Sequence, residues 1–115
     1  MVSSYKDLIV WQKGVELTVA VYEVTSQFPD DERFGLVSQM RRAAVSIPSN
    51  IAEGKLRGYS KDGTRFFLIA FSSGGELETQ VIIAKRLLKT RHLDYSKVDS
   101  LLTEVMKMLN KLVQD

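Results

Sequence analysis

Residues 67–88, FLIAFSSGGELETQVIIAKRLL, contain the longest regular hydrophobic pattern in the chain. Apolar or small residues recur every three or four positions over three heptads, which is the spacing of one face of an α-helix. The paired glycines Gly74 and Gly75 cost helix stability, so we expect either a bend or a closely packed neighbouring helix there. The predicted buried stripe of this long helix is Phe67, Ala70, Gly74, Leu77, Val81, Ala84 and Leu88.

Three further segments show the same spacing. The first is predicted to begin at an N-cap, Asp7, and to end before Pro29. The second ends near Gly54 as its C-terminal glycine, and the last begins at Ser96 in a weak capping box with Asp99. Their predicted buried residues are Val10, Gly14, Leu17, Val21, Val24 and Phe28, then Leu36, Met40, Ala43, Ile47 and Ile51, and finally Val98, Leu101, Leu102, Val105, Leu109 and Leu112.

The links between these four segments are short, and no segment sustains the alternating pattern of a β-strand. Short links favour antiparallel neighbours. A length of 115 residues is typical of one domain. We therefore predict an all-α protein, an antiparallel up-down-up-down four-helix bundle that forms a single domain over residues 1–115.

A proline lies inside the second predicted helix. Pro48 lacks the backbone N–H of a helical residue and collides with the carbonyl of the preceding turn, so we expect a kink or a break. A short second piece would then begin at Ser49, or at Asn50 with Glu53, and would end at Gly54.

Several classes of site are excluded by composition. The chain has no cysteine and one histidine, which rules out a disulfide scaffold, cysteine-ligated metal sites and a thiolate nucleophile. The histidine, His92, follows Lys89 near a predicted helix end, where a cation complements the helix dipole. It is not part of the Glu-x-x-His pairs that a di-iron bundle needs. We predict no metal and no cofactor.

No catalytic motif is complete. Residues 71–75, FSSGG, lack the spacing of a Gly-x-Ser-x-Gly elbow, and Glu76 and Glu78 point to different helix faces. Residues 58–65, GYSKDGTR, match the first positions of a phosphate-binding loop, but no strand precedes them and they end in Thr64-Arg65. We predict that the protein is not an enzyme.

The longest uninterrupted apolar run, residues 66–71, is far shorter than the roughly 20 residues that span a bilayer. The N-terminal apolar stretch is also too short for a signal peptide. We therefore predict a soluble, cytoplasmic protein with no membrane partner.

The net charge is only +2, so any nucleic-acid binding has to rest on local clusters. One cluster is offset by Glu53 and Asp62 and includes Tyr59, which could stack on a base. Another is residues 85–91, KRLLKTR, with the adjacent His92. Two interpretations of these cations remain: they contact phosphate groups, or they simply lie on solvated helix faces. The basic residues of the first cluster are Arg41, Arg42, Lys55, Arg57, Lys61 and Arg65.

Three aromatic residues, Trp11, Phe66 and Phe71, are candidates for a surface between copies of the chain. The alternative is ordinary core packing, which we favour because large aromatic residues are usually well buried within a domain.

Three blocks of the sequence resemble a known family. They are DLIVWQK (7–13) with Tyr22 and Phe28-Pro29, then GLVSQ (35–39) with RRAAVSIPSNIAEG (41–54), and FFLIA (66–70) with ELETQ (76–80). Over residues 5–88 they are similar to the small bacterial four-helix-bundle proteins encoded in intervening sequences of large-subunit ribosomal RNA genes. This family is related to the accessory variability determinant of diversity-generating retroelements.

The resemblance implies a ring-shaped homopentamer. It also implies a basic surface, since the retroelement accessory protein binds a reverse transcriptase and nucleic acid. The matched basic positions are Lys13, Arg41, Arg42 and Arg57, and the matched structural motif is Pro48, Asn50, Glu53 and Gly54.

The chain departs from the family pattern at Gly63 and at Gly74-Gly75, and it is less basic than the retroelement accessory protein. Gly63 is expected to weaken the start of the third helix. The function that we predict is a non-enzymatic homo-oligomer that binds RNA or a nucleic-acid-processing protein. The alternative is a protein–protein scaffold without nucleic-acid binding.

Overall fold

The computed structural model describes residues 4–58 and 60–114, and within them the chain is all-α with no β-strand. A short 3₁₀ turn at Tyr5–Asp7 precedes the first long helix, and a 3₁₀ turn at Asp30–Glu32 and a π-helical turn at Arg33–Val37 lie between the first and the second. The long helices of these described residues are α1 Ile9–Thr25, α2 Ser38–Leu56, α3 Lys61–Arg86 and α4 Ser96–Val113.

The predicted stripes form the core. Each helix packs against two others, α1 and α3 each lying against both α2 and α4, in a body of 45 × 21 × 20 Å. Nearly every predicted stripe residue is buried, and Leu36 and Leu112 are partly buried. The prediction that Leu88 is buried is wrong. Leu88 is 73% exposed, because α3 ends at Arg86, before that position.

Two predicted helix caps are not formed. Leu8, not Asp7, is the N-cap of α1, because a 3₁₀ turn precedes the helix. The fourth helix does begin at Ser96, but Ser96 and Asp99 do not form a capping box. Instead, a carboxylate oxygen of Asp94 accepts the Ser96 backbone N–H at 2.9 Å.

The second helix continues through Pro48, so the predicted break is wrong. Proline leaves the carbonyl of Ala44 without its helical donor. The Thr18 hydroxyl of α1 lies 3.0 Å from that carbonyl and 2.8 Å from the carbonyl of Gly14, so its proton serves both. A neighbouring helix thus replaces part of the hydrogen bond that the proline removes.

Asn50 and Glu53 do not begin a new helical piece. The Asn50 amide donates to the carbonyl of Ser46 at 2.8 Å and lies 2.9 Å from the Ser46 hydroxyl. The Glu53 carboxylate accepts a hydrogen bond from Arg57 at 2.8 Å. Both side chains therefore support the continuous second helix and its end.

Glycines control the turn between α2 and α3. Gly58 has φ +76° and follows the C-cap of α2, so it takes the C-terminal role predicted for Gly54. Gly54 is buried, and a Cβ there would lie 2.7 Å from the Phe67 ring. A Cβ at Gly63 would overlap the Gly58 carbonyl and lie 2.8 Å from that of Gly54. Gly63 is thus more than a weak helix former, because its missing side chain lets α3 approach α2.

The paired glycines of α3 differ from each other. The helix continues through both, and a Cβ at Gly74 would overlap the sulfur of Met106 on α4. The expected close approach of a neighbouring helix is therefore confirmed at Gly74. Beyond its chain neighbours and the backbone of its own helix, no described residue has an atom within 4 Å of a Cβ at Gly75, and nothing in the structure explains that glycine.

By length and composition alone, α3 is apolar enough to cross a membrane, which the run of residues 66–71 did not indicate. The core helix of a soluble protein has the same properties. In the described structure α3 buries one face against α2 and α4.

Candidate nucleic-acid interface

The structure divides the first predicted basic cluster between the two ends of α2. Arg41 and Arg42 lie in its first turns, whereas Arg57 follows its last turn. At a rise of 1.5 Å per residue, Arg42 and Arg57 are about 20 Å apart along the helix. Lys13 lies apart from both groups on α1 and forms an ion pair with Glu104 of α4 at 3.3 Å. The residues beside Arg57, around the α2–α3 turn, are Lys55, Lys61 and Arg65.

The arginines at the α2–α3 turn are paired with acidic residues. We call the residues of this group the turn cluster, and they are Glu53, Arg57, Asp62, Arg65 and Phe66. Arg57 donates to Glu53 at 2.8 Å and to Asp62 at 2.7 Å, and its guanidinium lies 4.8 Å from the Phe66 ring centroid. The hydrogen bond to Glu53, followed by that to Asp62, raises the pKa of Arg57. Arg65 lies 3.8 Å from Asp62 and 5.3 Å from the Phe66 centroid. These arginines already have acidic partners.

The two lysines near the turn cluster differ in exposure. Lys55 is half-buried, whereas Lys61 is exposed and forms no ion pair with any residue that the structure describes. Tyr59, the aromatic residue predicted to stack on a base, lies outside the described residues.

The second predicted cluster, residues 85–91 with His92, is partly tied to the bundle. Lys85 pairs with Asp99 at 2.7 Å and Lys89 with Asp31 at 3.1 Å. The Lys89–Asp31 pair places this cluster beside the connection between α1 and α2. The cluster members that remain exposed, without an ion pair to a described residue, are Arg86, Arg91 and His92.

At that same end of the molecule, a groove of about 500 Å³ lies between the end of α1 and the start of α2. Its lining combines three arginines with two aromatic residues, and no carboxylate is among the described residues that line it. Phe34 is 88% exposed and Tyr22 is 43% exposed. We call this surface the groove, and it consists of Tyr22, Arg33, Phe34, Val37, Ser38, Arg41, Arg42 and Val45.

The local fold explains why Phe34 is exposed. The turn Arg33–Val37 directs Val37 into the core and half-buries Leu36. Gly35 departs from helical geometry, with φ −105° and ψ −105°. Phe34 is left on the outer side, where the Arg33 guanidinium lies 5.4 Å from its ring centroid.

The two neighbouring arginines of the groove have different roles. The Nε of Arg41 donates to the Thr25 hydroxyl at 2.9 Å, and its Nη2 donates to the Tyr22 carbonyl at 3.4 Å. Its guanidinium also lies 4.4 Å from the Tyr22 ring centroid, at the C-terminal end of α1. The Arg42 side chain is exposed and forms no hydrogen bond or ion pair with any described residue. Arg41 is therefore held in place, whereas the Arg42 side chain has no partner among the residues that the structure describes.

The sequence-based site prediction contained Arg41 and Arg42 but not the other six residues of the groove, which include one charged residue, Arg33, and two aromatic residues, Tyr22 and Phe34. One feature of the sequence could have identified the two aromatic residues. Tyr22 and Phe34 are large aromatic residues that lie outside the predicted buried stripes of their segments. Arg33 directly follows three acidic residues, so the local net charge of this segment is negative and did not indicate a basic site.

Metal binding and acid–base chemistry find no support in the described part of the chain. Within it, no group of three histidine, aspartate or glutamate side chains is placed to hold a metal ion. Burial raises the pKa of Tyr95, whose hydroxyl donates to the Thr90 carbonyl at 2.8 Å. The raised pKa of Tyr95 thus results from its packing near the start of α4 and does not indicate acid–base chemistry.

Exposed apolar side chains are distributed unevenly. Every residue of α4 is described, and none of its large hydrophobic residues is exposed. Trp11 and Phe71 pack against the core, as favoured from the sequence, and Phe66 is half-buried beneath two arginines. The exposed hydrophobic residues of the other long helices are Ile9, Val15, Val19, Tyr22, Val45, Leu56, Leu68, Ile69, Ile82 and Ile83.

Comparison with known proteins agrees with the sequence resemblance. Residues 6–111 match the family model of the 23S rRNA-intervening sequence protein, which is not known as an enzyme family. No curated protein matches the chain. Because the match spans nearly the whole all-α chain, the protein belongs to the 23S rRNA-intervening sequence protein family.

Proposed function

We propose that the protein is a non-enzymatic, cytoplasmic four-helix-bundle domain that forms a ring-shaped homopentamer and binds RNA or a nucleoprotein partner. The groove carries this proposal, because it combines exposed aromatic rings with arginines and has no carboxylate among its described lining residues. Its repetition around a ring would turn a mild charge per chain into a strong local field.

An up-down-up-down antiparallel arrangement is supported by the order of contacts between α1 and α2. Gly14 packs against Pro48, and Thr18 reaches the carbonyl of Ala44. Thr25, near the end of α1, meets Arg41, near the start of α2. Positions that rise along one helix therefore meet positions that fall along the other.

Self-association is supported by the exposed hydrophobic residues on three helices. Exposed valine, isoleucine and leucine side chains on neighbouring turns favour burial against another surface. The outer face of α4 lacks such residues. Copies would therefore meet through α1, α2 or α3, with α4 facing solvent. The number of five copies comes from the family resemblance.

Arginines and aromatic rings contribute to RNA binding in different ways. Each arginine–phosphate contact releases counterions, so the affinity falls as the salt concentration rises. Stacking of a base on an aromatic ring adds affinity that depends much less on salt. The groove offers both kinds of contact within one surface.

A scaffold without nucleic-acid binding is the second candidate, and the ion pairs favour it. Carboxylates hold Lys13, Arg57, Lys85 and Lys89 within the chain. These four of the 16 basic side chains are therefore already paired with carboxylates before any partner arrives.

Light scattering of the purified protein, with and without a short structured RNA at low and high salt, tests the proposal. We expect a particle of pentamer mass that gains RNA mass at low salt and loses it at high salt. A particle that never gains RNA would favour the scaffold, and a monomer at every concentration would contradict self-association.

A further inference from the structure

We propose that the groove binds unpaired RNA, with one base stacked on Phe34 and the adjoining phosphate held by Arg42. This inference rests on the proposed RNA-binding function and specifies the ligand. The groove volume of about 500 Å³ lies within the roughly 300–1,000 Å³ of typical small-ligand pockets. A single nucleotide is therefore a suitable occupant.

Phe34 is the stacking surface in this proposal. It is the most exposed of the large hydrophobic side chains described, at 88%, and it belongs to no part of the core. Unpaired RNA bases are commonly recognised by stacking on aromatic rings and arginine planes. Arg33, 5.4 Å from the ring centroid, supplies such a plane beside the ring. Bases in a duplex are already stacked and would not gain this contact.

Arg42 is the phosphate contact, because its guanidinium is exposed and has no partner among the described residues. Arg41 is less suitable, since its hydrogen bonds to Thr25 and Tyr22 hold it half-buried. It contributes a positive charge that these hydrogen bonds hold in place. The ligand therefore meets one exposed arginine without a partner among the described residues and one arginine that is held by its neighbours.

The three acidic residues that precede the groove, Asp30, Asp31 and Glu32, are not among the residues that line it. Asp31 is paired with Lys89 at 3.1 Å. Glu32 accepts the backbone N–H of Leu36 at 3.3 Å. Asp30 lines a neighbouring depression and not the groove itself. Among the described residues that line the groove, the charged side chains are therefore all arginines.

Fluorescence anisotropy of a short labelled RNA, unpaired or annealed to its complement, tests this inference with the intact protein. We expect the wild-type protein to bind the unpaired strand about tenfold more tightly than the duplex, in line with measured base–aromatic stacking. Phe34→Ala should abolish this preference at both low and high salt, because stacking releases few counterions. Phe34→Tyr, which keeps the ring, should retain it.

Phe66→Ala is the matched control, because Phe66 also lies beside two arginines but at the other end of α2. We expect it to leave the preference for unpaired RNA unchanged. Circular dichroism of each variant establishes that it has folded.

The outcomes separate this inference from the proposed function. If the wild-type protein binds neither RNA at low salt, both fail. If it binds both RNAs equally and Phe34→Ala has no effect, the inference is overturned while RNA binding stands. If Phe34→Ala lowers the particle mass in light scattering, another copy of the chain occupies the groove and the inference is overturned.

Discussion

The two ends of α2 each place arginines beside a phenylalanine, with opposite results. At the turn cluster, Arg57 is held by two carboxylates at 2.7 and 2.8 Å, and Phe66 is half-buried beneath it. At the groove, Arg42 has no partner among the described residues and Phe34 is 88% exposed. The comparison shows that the hydrogen-bond and ion-pair partners within reach, and not the number of basic residues in a segment, decide whether an arginine is available to a ligand.

The packing of the two ends differs as well. At the turn cluster, α3 approaches α2 through Gly54 and Gly63. At the groove, the end of α1 is joined to α2 by the hydrogen bonds of Arg41, and Phe34 remains outside the core. The first end is closed by backbone contact, whereas the second has an exposed groove.

The largest effect is expected from a side chain added at the closed end. Gly63→Ala should lower the free energy of unfolding by about 3 kcal/mol, because its Cβ would overlap backbone atoms that cannot move independently. Urea denaturation measures this loss. Gly75→Ala is the control, since its Cβ meets nothing within 4 Å, and it should stabilise α3 by up to about 1 kcal/mol. Equal stability of the wild type and Gly63→Ala would contradict the close approach of α2 and α3.

A smaller effect should distinguish the two arginines of the groove. Arg41→Ala is expected to lower the free energy of unfolding by about 1–2 kcal/mol, because it removes two hydrogen bonds and a contact with the Tyr22 ring. Arg42→Ala should change it by less than about 0.5 kcal/mol, as an exposed residue without partners. Urea denaturation of both variants checks this, and a larger loss for Arg42→Ala would show that their roles are reversed.

Removal of the acidic partners should open the turn cluster. The double variant Glu53→Gln, Asp62→Asn frees Arg57, so RNA affinity at low salt should rise severalfold and the salt slope should steepen by about one unit. The control is Glu76→Gln with Glu78→Gln, which gives the same net charge by removing two exposed carboxylates of α3. If both double variants bind RNA equally, net charge explains the affinity and the ion pairs do not.

The smallest effect concerns the start of α4. Hydrogen bonds from the Ser96 side chain and backbone lower the pKa of Asp94 below its ordinary value of 3.8. This cap therefore stabilises the protein above about pH 3.8 and is lost as the pH falls through the lower folded-state pKa. Asp94→Asn should accordingly reduce the loss of stability on acidification below pH 3.8. Urea midpoints across this pH range measure it, with Asp30→Asn as a control that removes no helix cap.

The helices were predictable from the sequence because their buried stripes repeat locally every three or four residues. Two of the errors, at Pro48 and Gly54, arose where a distant residue overrides a local rule. Pro48 does not break α2, because Thr18 of another helix serves the freed Ala44 carbonyl. Gly54 is not the terminal glycine, because it is needed for contact with Phe67. Such compensations involve residues far apart in the chain, so the local pattern does not contain them.

The candidate interface was only half predictable for the same reason. Arg41 and Arg42 were identified from their charge, but their different roles depend on Thr25, which lies on another helix. Phe34 was missed because exposure of an aromatic residue in a turn follows from the packing of Leu36 and Val37. The charge of a residue can be read from the sequence, whereas the exposure of its side chain and the partners that it contacts depend on the fold.

The most direct test of the central claim is the salt dependence of RNA affinity for Arg42→Gln and Arg57→Gln, measured side by side with one unpaired RNA. Arg42→Gln should reduce the slope of log affinity against log salt by about one unit, and Arg57→Gln should leave it unchanged. A reduced slope for Arg57→Gln with an unchanged slope for Arg42→Gln would contradict the account.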